Sequence, residues 1–280
     1  MTQNIEQVKS RLANVEAIQP LLSALRTMSM GAWQVALKKI EHLEDYEKNY
    51  DRILFEVLPF IKRYTKNKTA NVQEPTGSTD SILLVLGTER GLCGKFNIQL
   101  VENTISYLNN FGMNSYQIWA MGSRLIREFE RKGVELSWSL ALPGSGLISY
   151  QQSYDHIQSW LRKYENYEFN RFTVIYNQTI AAQGFQFSTF NLLPYKISRN
   201  DLDQNISQKI SWPSTIIETD PIGIYRQIIQ HFIATSFYKT LLKSLAAEHS
   251  ARYYLMEEAS DNASEIIDDL IQLINMERKR

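Results

Sequence analysis

The residues with the best claim to chemistry are Gly87-Thr88-Glu89-Arg90-Gly91-Leu92-Cys93-Gly94-Lys95. They follow a short apolar run, Ile82 to Leu86, and precede a helical pattern that starts at Phe96. A glycine-rich turn between a strand and a helix is where backbone amides can cradle a phosphate. The spacing argues against that use. A Walker loop needs a glycine five residues before the glycine of its Gly-Lys pair, and Glu89 stands there; it needs Ser or Thr after the lysine, and Phe96 stands there. A dinucleotide fingerprint needs Gly-x-Gly-x-x-Gly, and the gap from Gly87 to Gly91 is too wide. The better reading is a tight turn whose glycines supply positive φ, with Arg90, Gly91 and Gly94 as its structural residues.

The remaining candidates are weaker. His42, His156, His231 and His249 are scattered and form no His-Glu-x-x-His pattern, so no metal site is expected. Cys93 is the sole cysteine, which excludes a disulfide within the chain. A helix start nearby would lower its pKa, but with no histidine close in sequence a small buried thiol is the simpler reading. Glu257, Glu258, Asp261, Asp268 and Asp269 read as a solvated helix face rather than paired catalytic carboxylates. Trp33, Trp119, Trp138, Trp160 and Trp212 are dispersed and suggest no base-stacking platform. No catalytic constellation, cofactor site or metal site emerges.

Bulk properties agree. Lys+Arg and Asp+Glu both number 30, so no global field draws the chain to nucleic acid or an anionic membrane. Hydrophobic residues make up 44%, enough for a real core. The N-terminus has no apolar signal region, and Ile82 to Leu86 is too short to span a bilayer, so membrane association must run through a partner.

The elements that position the central turn are clear from periodicity. Ile5, Val8, Leu12, Val15, Ile18, Leu22, Leu25, Met28, Ala32 and Val35 recur by threes and fours, and the pattern runs on through Leu43 and Ile53 to Pro59. Such a helix is about 80 Å long and must project beyond a compact globule. Pro20 should kink it. Lys66 to Ser81 reads as a flexible link. Strands are expected at Ile82–Leu86, Tyr116–Ala120, Phe172–Tyr176 and Phe185–Leu193, and helices at Phe96–Phe111, Arg124–Lys132 and Ser149–Tyr164. Alternating units of this kind make a largely parallel sheet. Asn200 to Pro213 reads as a loop. A second long helix starts at Asp220-Pro221, with Asp as cap and Pro at the first position, and runs to the end.

The expected fold is therefore an α/β globular domain plus a long antiparallel coiled coil formed by the N- and C-terminal helices. The segments are 1–65 (first helix), 66–81 (linker), 82–213 (globular domain) and 214–280 (second helix). Folding both helices back over the sheet is the open alternative.

Three stretches resemble the gamma subunit family of F-type ATP synthases. Ile5-x-x-Val8-x-x-Arg11-Leu12 through Leu22-x-Ala24-Leu25 is similar to its opening helix. Glu89 to Asn97 looks like its Asp-Arg-Gly-Leu-Cys-Gly-Gly-Phe-Asn signature. Ser244-Leu245-Ala246-Ala247-Glu248-His249-Ser250-Ala251-Arg252, continuing through Met256 to Ala263, resembles its C-terminal motif. The resemblance implies a non-catalytic rotor. The paired helices would turn inside a hexamer of alpha and beta subunits, and the globular domain would sit beside epsilon on the c-subunit ring. It implies subunit contacts at Glu248, Arg252, Asp261 and Asn262, and a peripheral place on the cytoplasmic face of a bacterial plasma membrane or thylakoid-type membrane.

Departures from the pattern matter. Lys95 replaces the second glycine of the central signature. The family's lysine after the Met-rich part of the first helix falls at Val35, leaving Lys38 or Lys39 as substitutes. Asn275 and Arg278 match its Asn-x-x-Arg stretch, and the turns that usually follow are absent, which implies a shortened shaft. Together these suggest a divergent paralogue, as from a sodium-type ATPase. The competing readings are a non-motor coiled-coil scaffold, distinguished by stoichiometry in co-purification, and a nucleotide-dependent enzyme using the Gly87–Lys95 loop, distinguished by titration with ATP and NAD.

Overall fold

A computed structural model describes residues 2–66, 80–111, 116–180, 184–195 and 220–279. The expected linker and the expected 200–213 loop lie largely or wholly outside these described residues.

The apolar repeat of the first segment becomes one helix, α1 (Thr2–Lys66). It runs through both Pro20 and Pro59 and ends beyond the expected boundary. At 1.5 Å per residue its 65 residues span about 98 Å. The central elements are β1 (Ser81–Leu86), α2 (Phe96–Phe111), β2 (Tyr116–Met121), α3 (Ser123–Arg131), β3 (Trp138–Leu140), α4 (Tyr150–Glu165), β4 (Arg171–Ile180) and β5 (Gly184–Leu193). The last helix, α5, is Pro221–Lys279. The Asp220 carboxylate accepts from the amides of Ile222 and Gly223 at 3.1 and 3.0 Å, so it caps the helix as the Asp-Pro pair implied. Ser149 caps α4 in a reciprocal box with Gln152.

β3 was not expected. Three residues of Trp-Ser-Leu are too few to show a period, and the strand exists because Trp119–Met121 of β2 offer it a parallel edge. The sheet order is β3-β2-β1-β4-β5, parallel except for the antiparallel β4–β5 pair.

Both faces of β1 are buried, as a central parallel strand requires. Its alternation sorts two cores. Leu83 and Val85 meet Leu100 and Leu108 of α2 and Leu125 and Phe129 of α3. Ile82, Leu84 and Leu86 meet Ile157 and Trp160 of α4 and Ile233, Phe237 and Leu241 of α5. The long C-terminal helix is therefore a structural layer of the sheet domain over its first half. Trp119, Trp138 and Trp160, dispersed in sequence, gather in this second core with centroids 5.3–6.1 Å apart.

α1 packs along α5. Leu54 and Val57 share a buried cluster with Ile228. The Glu47 carboxylate accepts from the Ser236 hydroxyl at 3.2 Å and the Lys239 ammonium at 2.6 Å. Trp33 lies 6.3 and 6.2 Å from the rings of Tyr253 and Tyr254. Gln19 donates to Ser264 at 3.0 Å. Contacts advance along one helix as they retreat along the other, so the two run antiparallel.

Candidate functional site

In a doubly wound sheet the ligand crevice opens at the carboxyl ends of the strands, where the strand order reverses. Here that switch lies between β1 and β4. α5 fills it. The Ser244 hydroxyl donates to the carbonyl of Leu86, the last residue of β1, at 3.3 Å. Glu248 and Arg252, one and two turns further on, lie against the loop that follows. The space left among Leu86, Gly87, Met121, Ser244 and Glu248 is about 10 Å³, too small for a nucleotide.

The β1–α2 turn is built by its own side chains. Asn97 accepts the amide of Thr88 at 3.1 Å and donates to its hydroxyl at 2.8 Å. That hydroxyl donates to the Arg90 carbonyl at 2.8 Å and lies 3.7 Å from the Cys93 sulfur. Gly94 takes φ 58°, and Leu92 takes φ 62° although it carries a side chain. Gly87 is needed for space: a Cβ there would stand 2.4 Å from the Leu125 Cβ. The loop thus uses the amide of Thr88 internally instead of presenting it to a phosphate.

The Glu89 carboxylate sits at the N-terminus of α3 rather than within its own turn. One carboxylate oxygen accepts from the Ser123 hydroxyl at 2.6 Å, the other from the amides of Ser123 at 3.0 Å and Leu142 at 2.7 Å. Burial alone would push this carboxyl up. The bonds from Ser123 and Leu142, with the charge of Arg127, outweigh it and hold Glu89 below the usual carboxylate range.

Arg252 completes the junction. Its Nε and Nη2 both donate to the Gly91 carbonyl, at 3.2 and 3.1 Å. Nη2 also pairs with Glu248, and Nη1 lies 3.1 Å from Nδ1 of His249. Glu248 and Arg252 are 5% and 6% exposed, so their ion pair is buried inside the chain. Burial pushes the Glu248 carboxyl up, against the pull of Arg252. Burial likewise drives His249 down to about 4, helped by the charges of Arg252 and Arg90, so it is neutral near pH 7.

The sequence-derived residues therefore divide. Glu248, Arg252, Arg90, Gly91 and Gly94 belong to one junction, while Asp261 and Asn262 stand exposed further along α5. These two help line a groove of about 570 Å³ with Lys95, Phe185 and Tyr254. Cys93 is buried against Phe96 and Ala247. Cys93 is thus the small buried thiol that its sequence context favours, and burial pushes its pKa up. The acidic residues 258, 261, 268 and 269 are solvent-exposed. Sequence reasoning missed the roles of Glu89, Ser123 and Ser244. A carboxylate in place of the expected phosphate-loop glycine was the available signal for Glu89. Among the described residues no group of three His, Cys, Asp or Glu side chains could hold a metal, and no helix is long and apolar enough to cross a membrane.

Known proteins are similar to this chain. The ATP synthase gamma chain of Nautilia profundicola is 25% identical over 280 residues, covering 98% of this chain and 92% of that one. The ATP synthase gamma chain of Amoebophilus asiaticus is 26% identical over 288 residues, covering 99% and 93%. In fold, the chain is similar to one from the cryo-EM structure of the Tetrahymena thermophila mitochondrial ATP synthase central stalk and c-ring, with a TM-score of 0.59 and 18% identity, covering 86% of this chain and 99% of that one. The family model described as ATP synthase matches residues 4–280, and with it the conclusion from helix pair, sheet and junction is that this chain belongs to the ATP synthase family, its relatives there being gamma chains.

Proposed function

We propose that this chain is the central-stalk rotor of an F-type ATP synthase. It couples ion-driven rotation of a c-subunit ring to conformational change in a hexamer of alpha and beta subunits. It is not itself catalytic; the ATP sites belong to beta. The observation that carries the reading is the antiparallel run of α1 along α5, from Leu54 beside Ile228 to Gln19 beside Ser264. A shaft must be stiff in torsion, and two helices held together by buried and charged contacts resist twisting better than one.

In this reading the two helices form a coiled coil over 1–65 and 214–280, joined through 66–81 to a globular domain at 82–213. Its exposed apolar side chains, among them Leu21, Met28 and Val35 of α1, are the bearing surface inside the alpha/beta hexamer. Asp261 and Asn262 contact that hexamer directly. Glu248 and Arg252 shape the same surface from beneath, by holding α5 to the Gly91 loop. The globular domain rests on the c ring beside epsilon, peripheral to the membrane and on its cytoplasmic face. The shaft needs only to contact the three beta subunits differently to shift their populations.

The test is reconstitution with cognate alpha and beta subunits, followed by single-molecule rotation of a probe fixed to the globular domain. One copy per hexamer and stepwise, ATP-driven rotation are expected. Absence of stoichiometric assembly would refute the reading.

A further inference from the structure

Apolar contacts such as those of Phe237 and Leu241 with the sheet are non-directional, and by themselves they resist sliding or twisting of α5 poorly. Directional bonds resist it. The Arg252 bonds to the Gly91 carbonyl lie near the place where α5 leaves the sheet domain and continues to Lys279. That carbonyl belongs to a loop and has no strand ladder behind it. Only two residues away, Glu89 ties the same loop to two other segments, the start of α3 through Ser123 and the β3–α4 connection through Leu142. The amide of Arg124 adds a bond to the Thr88 carbonyl at 3.0 Å.

We propose that Glu89 is the positioning residue of the grip between sheet and shaft: its carboxylate fixes the Gly91 carbonyl as the seat on which Arg252 holds. The inference rests on the rotor reading for its consequence in the complex. Torque applied to the sheet reaches α5 through this seat, and a loosened seat lets the helix yield before the beta subunits respond. The carboxylate is suited to the task because one group with two oxygens receives three donors from two segments, the start of α3 and the β3–α4 connection, which no neutral side chain of similar size can do as strongly.

Glu89→Ala and Glu89→Asp, each in the full chain, test it in two ways. In the isolated chain the side-chain Nε–H of Arg252 reports on the seat by hydrogen exchange. Glu89→Ala should speed its exchange by about tenfold or more, as expected for losing bonds to a charged group, and Glu89→Asp should restore most of the protection. A residue with a purely local role would expose the Ser123 and Leu142 amides and leave the Arg252 Nε–H protected, and that result overturns the proposal. In the reconstituted complex Glu89→Ala should lower the ions moved per ATP hydrolysed severalfold, with recovery in Glu89→Asp. An unchanged ratio overturns the torque-bearing role. If Glu89→Ala does not fold, Glu89→Gln, which keeps size but not charge, is measured by the same two readouts. Failure of the wild-type chain to rotate refutes the rotor reading alone, because the exchange measurement stands without it.

Discussion

Arg252 holds the backbone carbonyl of Gly91 with two of its guanidinium nitrogens, at 3.2 and 3.1 Å, across 161 positions of sequence. The same guanidinium neutralises Glu248 one turn back on α5. A lysine could supply the charge but not this planar fork.

Arg252→Ala should destabilise the chain by about 3–5 kcal/mol, because it leaves Glu248 as an unpaired charge in a buried site. Urea unfolding of the purified chain measures it. The double change Glu248→Leu with Arg252→Met should cost clearly less than the single change, since no charge is then stranded.

Acid should weaken the junction through His249. Its folded pKa, about 4, lies below the unfolded value of about 6.5. Above pH 6.5 both states are neutral and nothing changes. As pH falls from 6.5 to 4 the unfolded state takes up the proton and the folded state does not, so stability drops across that window. Thermal midpoints at pH 7.5 and pH 5 should therefore differ less in His249→Gln than in the wild type.

Gly122→Ala should disturb the seat of Glu89. Gly122 has φ 106°, and an added Cβ would stand 2.8 Å from the carbonyl oxygens of Gly87 and Thr88. The strain should cost about 1–3 kcal/mol, read as a lowered thermal midpoint together with loss of amide protection at Ser123.

Phe237→Ala tests α5 as a layer of the sheet domain. Phe237 is fully buried and meets Trp160 edge-on at 5.3 Å. Truncation should cost about 3–5 kcal/mol. A cost near that of an exposed site would show that the helix does not depend on the sheet.

Cys93 should resist thiol reagents in the native chain, since it is 5% exposed and burial raises its pKa. Labelling should accelerate in Arg252→Ala, where the covering helix is less firmly held. Equal rates would mean that the junction does not govern access to the thiol.

The sequence by itself determined the helices, most of the strands and what the loop does not do. Heptad-like spacing from Ile5 onward, the Asp220-Pro221 start and the Gly-x-x-x-Gly spacing at Gly87 are local patterns, and local patterns follow from backbone geometry. Glu248 and Arg252, expected to contact other subunits, instead pair with each other one turn apart on α5. What faces them was not legible. The pairing of Arg252 with Gly91, the seat of Glu89 on Ser123 and Leu142, and the gathering of three tryptophans join residues far apart in the chain. The short strand β3 is likewise set by its neighbour β2 rather than by its own residues. Only the tertiary structure decided these, because hydrogen-bond partners and burial depend on how distant elements pack. Cys93 carries the same lesson: a small buried thiol is what its sequence context favours, but the Ala247 face of α5 that buries it comes from a distant segment.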